Sequence, residues 1–137
     1  MNGAGDDGGR RPIFSGSPWE ELAGYARAVV DGEFVFVSGT VGVDFATMAM
    51  PEGAAAQAEL ALATIARALE EADASIADVV RMRVYVPERD DVAAVSGAIK
   101  HWLGATRPAN TTVCTPLAVE GARVEIEVTA KRAVRAR

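Results

Sequence analysis

Residues 106–132, TRPANTTVCTPLAVEGARVEIEVTAKR, constrain the fold more than any other part of the chain. The closing run Val124-Glu125-Ile126-Glu127-Val128 alternates apolar and polar residues, the two-residue period of a half-buried β-strand. Val124, Ile126 and Val128 belong on one face of a sheet; Arg123, Glu125, Glu127 and Thr129 belong on the other. Residues 110–117 read as a second strand, and a turn at Glu120-Gly121 predicts that the two pair as a hairpin. Two carboxylates then stand on one sheet face. Covered by another element or another subunit, one of them becomes a proton-transfer group; uncovered, the pair is an ordinary solvated face.

The rest of the chain supplies partners for this segment. Residues 24–30 and 33–39 predict a first hairpin with Asp31-Gly32 as its turn, and alternation sets Tyr25 and Arg27 on one face. A short extended piece follows over residues 45–50. Pro51 opens a helix whose Ala58, Ala61, Leu62, Ile65, Leu69 and Ala72 recur at spacings of three and four. Residues 78–87 form a strand with Val80, Met82, Val84 and Val86 on one face and Arg81, Arg83 and Tyr85 on the other. Asp90 or Asp91 caps a second helix, with Val92, Val95, Ile99, Trp102 and Leu103 as its inner stripe and Gly104 as its stop. Residues 11–24 form an irregular lead-in that packs Phe14 and Trp19 on the body; Trp19 has lining a ligand pocket as its alternative role. The order β-β-α-β-α-β-β predicts an α+β two-layer sandwich, both helices covering one face of a mixed sheet. The opposite face, carrying Tyr25, Arg27, Arg81, Arg83, Tyr85, Glu125 and Glu127, mixes aromatic and charged groups as an oligomer interface does.

Composition excludes several functions. The chain has 137 residues, half of them apolar, enough for one globular domain with a core. Residues 1–10 hold four glycines and no large apolar residue after Met1, so a flexible tail is expected before a single domain over residues 11–137. A net charge of −5 gives no attraction to phosphate backbones or anionic lipid, so neither nucleic acid nor membrane is an expected partner. One cysteine and one histidine exclude a disulfide within the chain and a Cys- or His-rich metal centre. Without a membrane-length apolar run or a secretory signal pattern, the expected location is the cytoplasm. Cys114 reads as a buried inert thiol in preference to a reactive one, and His101 as a helix-end residue.

The joint order of GYARAV, FVFVSGTVGVD, AQAELALATIARALEEADAS, DVVRMRVYV and RPAN-TTV…VEIEVTA resembles the Rid family, the RidA/YjgF-type reactive-intermediate deaminases, over residues 24–132. The resemblance implies a chorismate-mutase-like fold and a homotrimer. It also implies pockets between subunits for a small-molecule metabolite, on the sheet face opposite the helices. Its best-known members hydrolyse imines or enamines to a ketone and ammonia with no metal or organic cofactor. Matched residue by residue, it makes Tyr25 and Glu125 the catalytic candidates and sets Ser38, Gly39 and Asn110 around the substrate; backbone N–H groups near Gly39 and Thr112, with Thr111 beside them, are expected to hold its polar end. The archetypal members carry an arginine that binds the substrate carboxylate where this chain has Asn110, which cannot form a bidentate cationic clamp. Arg27, two residues after Tyr25, either supplies a relocated positive charge or forms an interface salt bridge, for example with Glu127. Two functions follow: a hydrolase in which Glu125 moves the proton of an attacking water, or a trimeric small-molecule-binding or regulatory protein without turnover. A third, a ribonuclease, conflicts with the acidic charge.

Overall fold

A computed structural model describes residues 9–133. The tail expected at residues 1–10 lies outside the described residues except for Gly9 and Arg10, which have no regular structure. The elements are β1 (Arg11–Ile13), α1 (Pro18–Ala23), β2 (Ala28–Asp31), β3 (Phe34–Val41), α2 (Ala54–Glu71), β4 (Val79–Val86), α3 (Val92–Leu103), β5 (Ala109–Cys114) and β6 (Glu125–Lys131). One six-stranded sheet has the order β1-β2-β3-β6-β4-β5. The β4–β5 pair is parallel and every other pair is antiparallel.

The α+β sandwich stands, with two elements added. The lead-in is not irregular: residues 11–13 form an edge strand on β2, and residues 18–23 form a short helix. Ser17 caps that helix, its Oγ accepting from Trp19 N at 3.2 Å, and Pro18 takes the first turn, where no amide donor is needed. Phe14 does not pack on the body but is 59% exposed. The first hairpin forms with its turn one residue later than expected, at Gly32-Glu33, because Asp31 already pairs with Phe34 and Gly32 supplies the positive φ. Residues 45–50 contain no strand, only a bridge between Asp44 and Ala49. Helix α2 starts after Pro51, at Ala54, and its whole predicted stripe is buried.

The hairpin expected between residues 110–117 and 123–132 does not form. β6 runs between β3 and β4, hydrogen-bonded on both sides, and β5 is the outer strand beyond β4. The cause lies in α3: the β4-α3-β5 unit carries the chain across the sheet, which makes β5 parallel to β4. Glu120-Gly121 is a real turn, with Ala122 N bonded to Val119 O, but it belongs to a loop that leads into the sheet centre. A second departure is in β4, where the pairing slips between Val79 and Arg81. Val79 is therefore buried and Val80 is 46% exposed, while Met82, Val84 and Val86 stay inside as expected.

The main core is the sheet face that meets α2 and α3, built from Val35, Leu62, Ile65, Leu69, Met82, Val84, Ile126 and their neighbours. A smaller cluster, Val41, Val43 and Ala122 with Trp19, Phe45 and Met50 against it, closes one end of the sheet. Asp91 does not cap α3 through its side chain; its carboxylate takes two hydrogen bonds from Arg123, at 3.0 and 2.7 Å.

Candidate active site

Alternation along β6 turns Ile126, Val128 and Ala130 into the core and leaves Glu125, Glu127 and Thr129 on the side away from the helices. The two carboxylates of that face meet different surroundings. Glu127 accepts a hydrogen bond from Tyr85 Oη at 2.5 Å and lies 3.6 Å from Arg83 Nη1. The tyrosine hydroxyl is held above its usual pKa, first by that hydrogen bond and then by burial. The Glu125 carboxylate has no hydrogen-bond or ion-pair partner among the described residues. Its pKa is raised, first by burial and then by the negative charge of Glu127, with Arg27 acting in the opposite direction.

The Glu125 carboxylate lines a cavity of about 320 Å³. Trp19 of α1 forms one wall, the loop residues Tyr25 and Arg27 another, Gly39 and Val41 of β3 a third, and Ala118 and Val119 the fourth. The chain makes room for the carboxylate by two devices. An extra residue in β3 breaks its register with β6 between Val37 and Thr40, so Ser38-Gly39 bulges. At the bulge glycine leaves the carboxylate its place, since a Cβ on Gly39 would stand 3.0 Å from Glu125 Cδ and closer still to Oε2 and would push the carboxylate aside. Ser38 fixes the bulge from the other side: its N donates to Arg27 O at 2.8 Å and its Oγ to Ala26 O at 2.7 Å.

Arg27 is not on a strand; it precedes β2 and is 1% exposed. It does not bridge to Glu127. Its Nε donates to Glu20 Oε2 at 3.1 Å and its Nη1 to Gly39 O at 2.9 Å and Thr40 Oγ1 at 3.2 Å. Glu20, 4% exposed, also takes hydrogen bonds from Ser15 N and Oγ. Sequence reading missed Glu20, although Ser17-Pro18-Trp19-Glu20 has the spacing of a capping box at a helix start.

One chain brings Tyr25, Arg27, Gly39 and Glu125 together with Ser38 beside them, but it leaves Asn110, Thr111 and Thr112 apart. Those three lie on the exposed edge strand β5. Asn110 pairs with Met82, so it is on the helix-covered side, and it rims a separate cavity of about 350 Å³ beside α3. Thr112 Oγ1 donates to Asn110 Oδ1 at 2.9 Å. Cys114, expected to be buried, is exposed because β5 has no neighbour on its outer side. His101 is exposed near the end of α3, next to Glu59.

Fold and site define a small α+β protein with a carboxylate cavity on the open side of a mixed sheet. The chain belongs to the family described as endoribonuclease L-PSP, which matches residues 17–132. Its relatives are the Rid and YjgF-type proteins that the sequence resembles. It is 38% identical over 128 residues to an uncharacterized protein of Streptomyces coelicolor, covering 89% of this chain and 92% of that one. It is 29% identical over 122 residues to the 2-iminobutanoate/2-iminopropanoate deaminase of Capra hircus, covering 88% of this chain and 89% of that one. A crystal structure of a YjgF/YER057c/UK114 family member from Mycobacterium tuberculosis superposes with a TM-score of 0.82 at 37% identity, covering 90% of this chain and 99% of that one. No helix among the described residues is long and apolar enough to cross a membrane.

Proposed function

We propose that this chain hydrolyses a small imine or enamine, with Glu125 as the group that handles the proton of the attacking water. The observation that carries the reading is the carboxylate itself, unpaired, half-buried and raised in pKa at the wall of a cavity. A general base works best with a pKa near the operating pH, and burial moves Glu125 in that direction. In the proposed reaction the water oxygen bonds to the imine carbon and the C=N π pair moves to nitrogen. Glu125 takes a proton from the water and returns it to that nitrogen. The hydroxyl of the carbinolamine then closes to C=O, the carboxylate takes its proton and passes it to the amine nitrogen, and the C–N bond breaks to release ammonia. An enamine enters the same sequence once a proton has moved from its nitrogen to carbon, which gives the imine. Tyr25 orients the substrate through its ring and hydroxyl, and the backbone around Ser38 and Gly39 receives its polar end. No metal or organic cofactor has a part in this sequence.

Asn110, Thr111 and Thr112 can reach such a substrate only from a second copy of the chain. A homotrimer with pockets between subunits, lying in the cytoplasm, is the assembly we propose on the family resemblance. Hydrolysis of RNA is disfavoured by the net charge of −5. Asn110, in place of a carboxylate-binding arginine, favours a second reading, ligand binding without turnover.

The test is the decay of imines generated in situ, from amino acids by an amino-acid oxidase and from simple amines by an amine oxidase. Wild type and Asn110→Arg are compared. Wild type is expected to accelerate the loss of at least one imine class, and Asn110→Arg to shift preference toward imines bearing a carboxylate. No acceleration of either class by either protein contradicts the hydrolase and leaves the binding reading.

A further inference from the structure

The wall of the Glu125 cavity contains one cation, and that cation is already engaged. Arg27 gives Nε to Glu20 and to Ser15 Oγ, at 3.1 and 3.2 Å, and Nη1 to Gly39 O and Thr40 Oγ1. Its Cζ lies 5.7 Å from the Tyr25 ring centre and 5.4 Å from that of Phe45, within reach of a cation–π contact with each ring. Glu20 is equally fixed, because Ser15 N donates to both of its oxygens, at 3.1 and 3.3 Å. Both partners are almost fully buried, so water does not loosen the pair. The charge of Arg27 is thus matched by Glu20 behind the wall, and the Glu125 carboxylate has no counter-ion in contact with it.

Resting on the hydrolase reading above, we infer that the cavity selects ligands without a carboxylate, and that its natural substrate is an uncharged imine or the protonated iminium form. A ligand carboxylate beside Glu125 would bring two like charges together where little water screens them. An N–H group on a planar cationic carbon, by contrast, makes a charge-assisted hydrogen bond to Glu125. Trp19, Val41 and Val119 receive the apolar remainder. Arg27 keeps one terminal nitrogen, Nη2, without an acceptor among the described residues, a donor suited to a neutral oxygen of the ligand. Glu20 then acts as a positioning residue: it touches no ligand, yet by holding Arg27 it sets the sign of the pocket.

The test is titration calorimetry on the full chain with propionamidine, propionamide and propionate, three probes of one shape and different charge. The expected order is amidinium tightest and propionate weakest, with about tenfold or more between them. Glu20→Gln frees the charge of Arg27, so propionate should gain about tenfold and the amidinium should weaken. Propionate binding tightest in wild type, no measurable binding of the amidinium, or an unchanged order in Glu20→Gln overturns the inference. If that variant fails to fold, because a buried guanidinium has lost its counter-ion, Glu125→Gln carries the test. There the amidinium should lose its advantage over the amide, and its retention overturns the inference. Binding needs no turnover. A chain that binds in this order and hydrolyses nothing contradicts the hydrolase alone; one that hydrolyses imines and prefers propionate contradicts the charge selection alone.

Discussion

Gly39 and Glu125 share a space that holds only one side chain. The β3 bulge brings the Gly39 Cα so near the Glu125 carboxylate that a single added methyl group would stand 3.0 Å from Cδ and overlap Oε2. The position of the carboxylate therefore depends on a residue of another strand that has no side chain.

Gly39→Ala should displace the carboxylate by about an ångström and lower imine turnover about 100-fold. The cost to stability should be about 1 kcal/mol or less, because the group that must give way is the end of a flexible side chain and not packed core. Initial rates and a urea melt on one preparation check both numbers. Unchanged turnover would show that the carboxylate position does not matter.

The raised pKa of Glu125 predicts two pH effects. The acid limb of the rate profile should lie above the ordinary glutamate range, and Glu127→Gln, which removes a neighbouring negative charge, should move it down. For stability, a raised folded pKa means that the folded chain holds the proton more tightly than the unfolded one. The stabilisation is complete below the unfolded pKa and is lost as the pH rises through the folded pKa. Glu125→Gln should therefore be more stable than wild type at neutral pH, with the gap closing toward acid pH. Denaturant midpoints across that range measure it, and parallel curves would contradict the assignment.

Gln57 ties the loop wall of the cavity to α2. It is 2% exposed, its Nε2 donates to Pro51 O and Gly121 O, and its Oε1 accepts from Arg123 N at 2.7 Å. Gln57→Ala leaves these backbone groups unpaired and should cost about 2–4 kcal/mol, with weaker substrate binding because Ala118 and Val119 loosen. A chemical melt together with KM detects both effects.

Glu59 and Trp102 offer a control far from the cavity. Trp102 Nε1 donates to Glu59 Oε1 at 2.6 Å across the α2–α3 contact. Glu59→Ala should lower stability by about 1–2 kcal/mol and leave turnover unchanged. A double-mutant cycle with Trp102→Phe isolates the hydrogen bond.

Periodicity made α2, α3 and most strand faces legible, because Leu62, Ile65, Met82 and Ile126 must all reach one core. Pairing was less legible. Nothing local in residues 110–132 records that β6 needs partners on both edges or that α3 carries β5 to the outside. The bulges were hidden for a related reason: the slip that exposes Val80 and the extra residue at Ser38-Gly39 depend on the neighbouring strand. Within the site, Glu125 and Tyr25 stood out in the sequence. The partner of Arg27 did not, since Glu20 lies seven residues upstream in a segment read as irregular.

The most direct test of the account is the rate of imine loss with Glu125→Gln, measured with the imine class that wild type accelerates best. Glutamine keeps the shape of the side chain and cannot accept the proton, so the account predicts a fall of at least about 100-fold in turnover at saturating substrate. Turnover within a few fold of wild type in a folded Glu125→Gln protein would contradict it.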